Sequence, residues 1–297
     1  MAAARIGFIG LGRMGVPMVG NLLRAGFEVA GYDAKAQAGR ELDALPGFER
    51  AESAPACVAS ADAVVLMLPD SLVVDRLLWE TPGLAAAMQS GTLVIDMGSS
   101  DPLHSRGNAE RLVARGLDFI DAPVSGGVKR ALDGTLAIMV GGSKETFKRA
   151  GPVLQAMGKT VIHVGAAGAG HAVKALNNYV SAAGLIAVSE ALVAAEKFGV
   201  DPHVVNQVFN ASTGRNNTTE LKVESFMLSK RYDSGFALAL MRKDVQTASQ
   251  FIDGMGTPGR FARECLGVAS AAEQALGTGA DHTAVHAYFA GLPGAES

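Results

Sequence analysis

The chain has 297 residues, a formal net charge of −3, 48% hydrophobic residues and 19% charged ones. That composition can bury a large core and excludes a disordered or fibrous protein. The near-neutral charge leaves no basic footprint for nucleic acid and no polybasic membrane patch.

The first strand-like run covers residues 5–9 and begins almost at Met1, which leaves no expected room for a signal or transit peptide. Further strand-like runs fall at 28–32, 63–68, 92–96, 117–121, 136–140 and 159–164. Helix-like stretches lie between them at 14–25, 35–44, 71–79, 103–115 and 144–157. Strand followed by helix, repeated, predicts a parallel, doubly wound sheet. After residue 164 no strand pattern returns. A long Ala-rich helical segment runs over 170–198, with more helices at 201–210, 241–254 and 259–276. The expectation is an α/β Rossmann domain over 1–165 and an all-α domain over 166–297. The polar loop 210–219 breaks the helical half. The apolar runs of the first half are too short to span a bilayer, and the longer one at 182–195 is broken by Ser189 and Glu190. Only Cys57 and Cys265 are present, too few for a disulfide framework, so a reducing, cytoplasmic setting is expected.

Glycine is the outlier, 36 of 297 or about 12% against a usual ~7%. Part of the excess follows the first strand as Gly10-Leu11-Gly12-Arg13-Met14-Gly15, a G-x-G-x-x-G between strand and helix. Gly10 permits the tight turn, Gly12 lets backbone approach a pyrophosphate, and Gly15 lets helix and strand pack closely. The phosphates then meet the free N–H groups of a helix N-terminus. Asp33 ends the second strand 18 residues past Gly15, close to the ~20 expected for a carboxylate on a ribose 2′-hydroxyl. A carboxylate there repels a 2′-phosphate, which favours NAD and leaves NADP possible, with Lys35 working against the preference. The alternative for Asp33 is a cap for a following helix. Leu68 and Pro69, and then Gly98, Ser99 and Ser100, follow two more strands, where open α/β sheets bind ligands. For Ser100 a capping role is the simpler reading.

A second glycine cluster follows another strand in Asp121-Ala-Pro-Val-Ser125-Gly126-Gly127. A hydroxyl beside two unhindered backbone N–H groups suits a carboxylate, and an ordinary turn is the alternative. Gly141-Gly142 reads as a turn. A third cluster, 165–170, opens the long helix that carries Lys174. Lys174 and Asn178 are four residues apart and share a helix face. A lysine on an apolar helix either snorkels to water or serves as a general acid/base. Lys243-Asp244 alone reads as a solvated patch, Arg215 as a surface charge, and the six histidines show no zinc-site spacing.

Four of these segments occur in order: Gly7-Phe-Ile-Gly-Leu-Gly-Arg-Met-Gly-Val-Pro-Met18, then Asp121 to Gly127 with Gly134 to Gly142, then Gly168-Ala-Gly170 with Lys174 and Asn178, then Lys243-Asp244. Together they resemble the β-hydroxyacid dehydrogenases, which include 3-hydroxyisobutyrate dehydrogenase and tartronate semialdehyde reductase. The resemblance spans nearly the whole chain. It implies a nicotinamide cofactor, a small carboxylate substrate and a homodimer or homotetramer formed through the helical domain. It also implies that Lys174 is the acid/base, that Asn178 supports it, and that Ser125, Gly126 and Gly127 hold the carboxylate. Ser99 matches a contacting Thr/Ser, and Lys243 comes near nicotinamide and substrate. Val128-Lys129-Arg130 and Gly98 depart from the better-known members and bear on the substrate. Two rival readings are an imine or other carbonyl reductase on the same scaffold, against which Lys174 argues, and a non-catalytic nucleotide-binding protein, against which Lys174, Ser125 and Asn178 argue together.

Overall fold

A computed structural model describes residues 4–80 and 84–291. The chain forms two compact units, Met1–Lys174 and Ala175–Ser297.

The first unit is built on strands β1 (Arg5–Ile9), β2 (Glu28–Tyr32), β3 (Phe48–Arg50), β4 (Ala63–Leu66), β5 (Leu93–Asp96), β6 (Asp118–Asp121), β7 (Val124–Ser125), β8 (Leu136–Gly141) and β9 (Gly158–Gly165). The order β3-β2-β1-β4-β5-β6 is parallel throughout, and β8 joins β6 antiparallel with β7 and β9 beside it. This is the Rossmann strand order, and it reverses between β1 and β4. Ligands bind at such a reversal, beyond the strands' carboxyl ends.

Both sheet faces are covered, which is why its strands read as near-continuous apolar runs. Side chains alternate along a strand. Ile6, Phe8, Val65 and Ile95 therefore face one core, with Met18, Val19 and Leu22 of α1 (Gly15–Arg24) and Val153, Leu154 and Met157 of a later helix. Ile9, Val64, Leu66 and Val94 face the other, with Cys57 and Val58 of α2 (Ala54–Val58) and, further on, Leu112. Helices α3 (Ser71–Asp75), α4 (Leu84–Ala87), α5 (Pro102–Val113), α6 (Gly127–Leu132) and α7 (Lys144–Met157) complete the two layers. Leu112 of α5 is wholly buried. Leu112→Ala is expected to cost about 2–5 kcal/mol, read as a lower denaturant midpoint.

The helix expected over 35–44 does not form. Gly39 takes a left-handed φ of 62°, and only a short 3-10 turn follows over Arg40–Ala44. The stretch 71–79 is an α-turn that widens into a π-turn at Arg76–Glu80.

The second unit is helical. It contains the body of α8 (Ala169–Phe198), then α9 (Pro202–Ala211), α10 (Asn217–Leu221), α11 (Leu238–Gly254), α12 (Arg260–Leu276) and α13 (Val285–Gly291). Ala182, Leu185 and Ile186 of α8 pack with Leu238, Met241 and Val245 of α11 and with Cys265, Ala269 and Ala272 of α12. By length and composition α8 could cross a membrane, yet Leu185, Ser189 and Leu192 on it are wholly buried in the protein. Within the unit, Asp281 accepts hydrogen bonds from Ser234, Thr283 and the backbone of Gly235. Burial opposes ionisation of that carboxyl, but the hydrogen bonds from His282, Thr283 and Ser234 prevail and hold it well below the usual carboxylate range.

Candidate functional site

The glycine loop occupies the reversal point. Gly10 has a φ of 104°, which favours glycine. A Cβ on it would stand 2.3 Å from the Met67 carbonyl oxygen, on the loop after β4. A Cβ on Gly15 would stand 1.9 Å from the Gly10 oxygen. These two glycines are demanded by the protein's own packing. Gly12 is different, because nothing lies within 4 Å of where its Cβ would be. It is exposed, as is Arg13 beside it, so its backbone is open to an approaching group.

Helix α1 begins after Met14 with no side-chain cap. In the same unit α2, α3, α5 and α7 are capped by Ser53, Asp70, Asp101 and Ser143. Within its first turn the Val16 N–H already bonds the Gly12 carbonyl at 3.0 Å and Pro17 has no N–H, so the Gly15 N–H and the positive end of the helix dipole are what α1 offers an anion such as a pyrophosphate. The open Gly12 backbone and the uncapped helix together fit a dinucleotide.

Asp33 is half-buried at the end of β2. Its Oδ2 accepts the Leu11 N–H at 2.8 Å and its Oδ1 accepts the Lys35 N–H at 2.8 Å. It therefore ties the glycine loop to β2 and caps a turn, since no helix follows. An ionised carboxylate has about four acceptor positions, so two remain for sugar hydroxyls.

The loops after β4 and β5 touch. A Cβ on Gly98 would come within 2.5 Å of the Leu68 oxygen, so this backbone has no room for a side chain. Leu68 is half-buried and Pro69 exposed. Ser99 is half-buried between two buried neighbours. Ser100 caps no helix; its Oγ donates to the buried Asp96 carboxylate at 2.8 Å, while Asp101 caps α5.

Ser125 ends β7 half-buried, and the backbone then turns through Gly126 (φ 130°) and Gly127 (φ 65°) into α6. The stem of Arg130 lies against Gly126, and nothing lies within 4 Å of a Cβ on Gly127.

Asp121 is wholly buried at the end of β6. Its Oδ1 accepts the Gly168 N–H at 2.7 Å and its Oδ2 the His171 N–H at 2.8 Å. This carboxylate caps the start of α8. Gly141 is part of the arrangement, since a Cβ there would lie 2.3 Å from Asp121 Oδ1. The glycine expected to serve a simple turn instead makes room for a buried charge.

Three residues beyond His171, Lys174 stands half-buried on α8. Asn178 is one turn further along. Its Nδ2 donates to Asp244 Oδ2 on α11 at 2.7 Å, and its Oδ1 accepts from Asn177 at 3.1 Å. Lys243, next to Asp244, is half-buried. Arg215 is exposed, with a Glu220 oxygen 3.6 Å away.

The structure thus joins Asp33 to Leu11, Gly10 to Met67, Gly98 to Leu68, and Asn178 to Asp244. Sequence reasoning passed over Asp244, His171 and the carboxylate of Asp121. Asp244 could have been found from its place beside Lys243 in the matched motif. Neither cysteine offers a thiolate, and burial pushes the Cys57 thiol up to about 12.

Comparison with known proteins agrees with this geometry. A family profile for the NAD binding domain of 6-phosphogluconate dehydrogenase matches residues 5–165. A second, for the NAD-binding of NADP-dependent 3-hydroxyisobutyrate dehydrogenase, matches residues 168–289. The chain is 38% identical to 2-(hydroxymethyl)glutarate dehydrogenase of Eubacterium barkeri over 82% of this chain and 81% of that one. It is 36% identical to 3-hydroxyisobutyrate dehydrogenase of Pseudomonas aeruginosa over 96% and 98%. A solved 3-hydroxyisobutyrate dehydrogenase of Mycobacterium tuberculosis, with L-serine, superposes at a TM-score of 0.88 and 36% identity, covering 96% of this chain and 99% of that one.

Proposed function

The chain belongs to the β-hydroxyacid dehydrogenase family, and from that premise we propose that it oxidises a small 2-substituted 3-hydroxypropionate to its semialdehyde, reversibly and with NAD. Hydroxymethylglutarate, hydroxyisobutyrate and L-serine, the compounds named for its relatives, all carry a primary hydroxyl one carbon from the carbon that bears a carboxylate. A shared recognition unit of that kind supports the substrate class and leaves the 2-substituent as the variable.

When bound, the nicotinamide accepts or returns a hydride. The residues do the rest. The open Gly12 backbone and the N-terminus of α1 at Gly15 hold the pyrophosphate, with Leu11, Arg13 and Met14 shaping the loop. Asp33 accepts the ribose hydroxyl, and Leu68, Pro69 and Ser99 line the crevice. Ser125 Oγ and the backbone N–H groups of Gly126 and Gly127 take the substrate carboxylate. Lys174 Nζ removes the hydroxyl proton in oxidation and returns one in reduction. One turn along the same helix, Asn178 has its amide oriented by Asp244.

The observation that carries this reading is the pair on one helix face, Lys174 and an Asn178 whose amide is already oriented by a hydrogen bond. A kinetic panel of 3-hydroxy acids with both cofactors tests it. Turnover of primary β-hydroxy acids with NAD is expected, and turnover of cyclic imines without hydroxy acids would reject it.

The cofactor preference has its own test. Asp33→Ser removes the charge that repels a 2′-phosphate. The ratio of kcat/KM for NAD over NADP is expected to fall by about tenfold or more, a change of ~1.4 kcal/mol. An unchanged ratio assigns the preference elsewhere.

A further inference from the structure

A buried polar cluster beneath the start of α8 is unused by the reaction proposed above. The His171 side chain is 1% exposed. Its Nε2 lies 3.3 Å from the Gly98 carbonyl oxygen, which can only accept, so Nε2 carries the hydrogen. Its Nδ1 lies 2.8 Å from Ser105 Oγ on α5 and 3.6 Å from Asp121 Oδ2. Ser105 also reaches the Asp101 carbonyl at 3.1 Å. One imidazole thus touches the loop that carries Ser99, the helix that follows that loop, and the carboxylate that caps the lysine's own helix. The packing around it is close, since a Cβ on Gly168 would stand 2.6 Å from the Pro102 oxygen and one on Gly170 would stand 2.7 Å from the Asp121 oxygen.

We propose that His171 is a positioning residue that clamps the Ser99 loop to the first turn of the Lys174 helix, so that the crevice hydroxyl and the acid/base hold one spacing. The proposal rests on the reading of Lys174 as acid/base. His171 precedes Lys174 by three residues, about 4.5 Å along the axis and nearly one turn. A shift of the imidazole is therefore passed directly to the lysine's backbone. Misplacing a reacting group by about 1 Å can cost ~10²-fold in rate.

The two roles of the residue separate cleanly. The capping bond to Asp121 comes from the His171 backbone N–H, which every substitution but proline keeps. The tether to Gly98 comes from the ring. His171→Leu removes the tether and keeps the cap, with Ser105 still bonded to Asp101. His171→Gln keeps an N–H donor for the Gly98 oxygen.

The experiment combines steady-state kinetics with amide hydrogen exchange on full-length H171L, H171Q and S105A. For H171L the expected result is a kcat lowered by about 10- to 100-fold, a larger primary deuterium isotope effect on kcat, and an NADH affinity within about threefold of the parent. H171Q is expected to recover most of the activity. Segments 98–105 and 168–174 are expected to exchange faster together in H171L. A purely structural role would lower stability without raising the isotope effect or being rescued by glutamine. A kcat for H171L within twofold of the parent overturns the proposal, as does faster exchange in only one segment. If H171L does not fold, S105A, which removes the other ring partner, must show the same changes in smaller measure, and unchanged S105A kinetics and exchange overturn the proposal. If the unsubstituted protein oxidises no hydroxy acid, the functional reading fails on that result, and the paired exchange still decides the clamp.

Discussion

Lys174→Ala is expected to bind NADH as the unsubstituted protein does and to lose about 10²- to 10⁴-fold in kcat, the range a positioned proton donor or acceptor contributes. The lysine stands half-buried on the first turns of α8, a helix start fixed by the Asp121 carboxylate. Lys174 belongs to none of the buried apolar clusters, so the fold and the dinucleotide crevice are expected to survive. Lys174→Arg sharpens the test. It keeps a positive charge at the position, but a guanidinium does not give up its proton in proteins. If Lys174 served only to attract a carboxylate, arginine would retain activity. If it moves a proton, arginine is as inactive as alanine. NADH binding by fluorescence and initial rates in both directions read the two effects separately. Near-parental turnover by either variant would contradict the assigned role.

The glycine loop yields the second large effect, and it splits into two opposite outcomes. Gly15→Ala is expected to cost stability, since its Cβ would stand 1.9 Å from a backbone oxygen that cannot retreat without moving Gly10. Overpacking of this kind costs about 1–3 kcal/mol or more. Gly12→Ala is expected to leave stability nearly unchanged, because apart from its own chain neighbours nothing lies within 4 Å of the new methyl. What it should lose is dinucleotide affinity, by about tenfold or more, or ~1.4 kcal/mol. Thermal unfolding with and without NADH checks both. A Gly12→Ala protein that binds NADH normally would mean that the pyrophosphate does not pass over this backbone.

These contrasts show where sequence reading succeeds. The loop from Gly10 to Gly15 is local: strand, turn and helix follow one another within a few residues, and each glycine has a reason that its neighbours supply. Strands β1 and β2 are legible because their apolar runs end at glycine or aspartate. The parallel sheet follows from strand–helix alternation, and the helical half from an unbroken Ala-rich pattern. The short elements are less legible. Strand β3 has three residues, Phe48–Arg50, two of them charged, and β7 has two, so neither offers enough period to detect. The stretch 35–44 has helical composition, but Gly39 in a left-handed conformation overrides it.

At the site, what was missed is non-local. Asp121 meets Gly168 and His171 across 47 and 50 residues, and Asn178 meets Asp244 across 66. No pattern along the chain reports such a pairing. Gly141 shows the consequence, because a glycine that reads as a turn is there to admit a carboxylate from another strand. Gly98 is similar, its missing side chain explained by Leu68 thirty residues earlier.

The proposed reaction moves a hydride from the hydroxymethyl carbon of a carboxylate-bearing alcohol to a nicotinamide. The most direct measurement is isotopic: NAD with a 3-hydroxy acid deuterated at its hydroxymethyl carbon, and the resulting NADH read by mass spectrometry. One deuterium in the NADH, and none from the corresponding alcohol lacking a carboxylate, is the result expected. NADH carrying solvent hydrogen in place of the label, or equal labelling from the alcohol without a carboxylate, would contradict it.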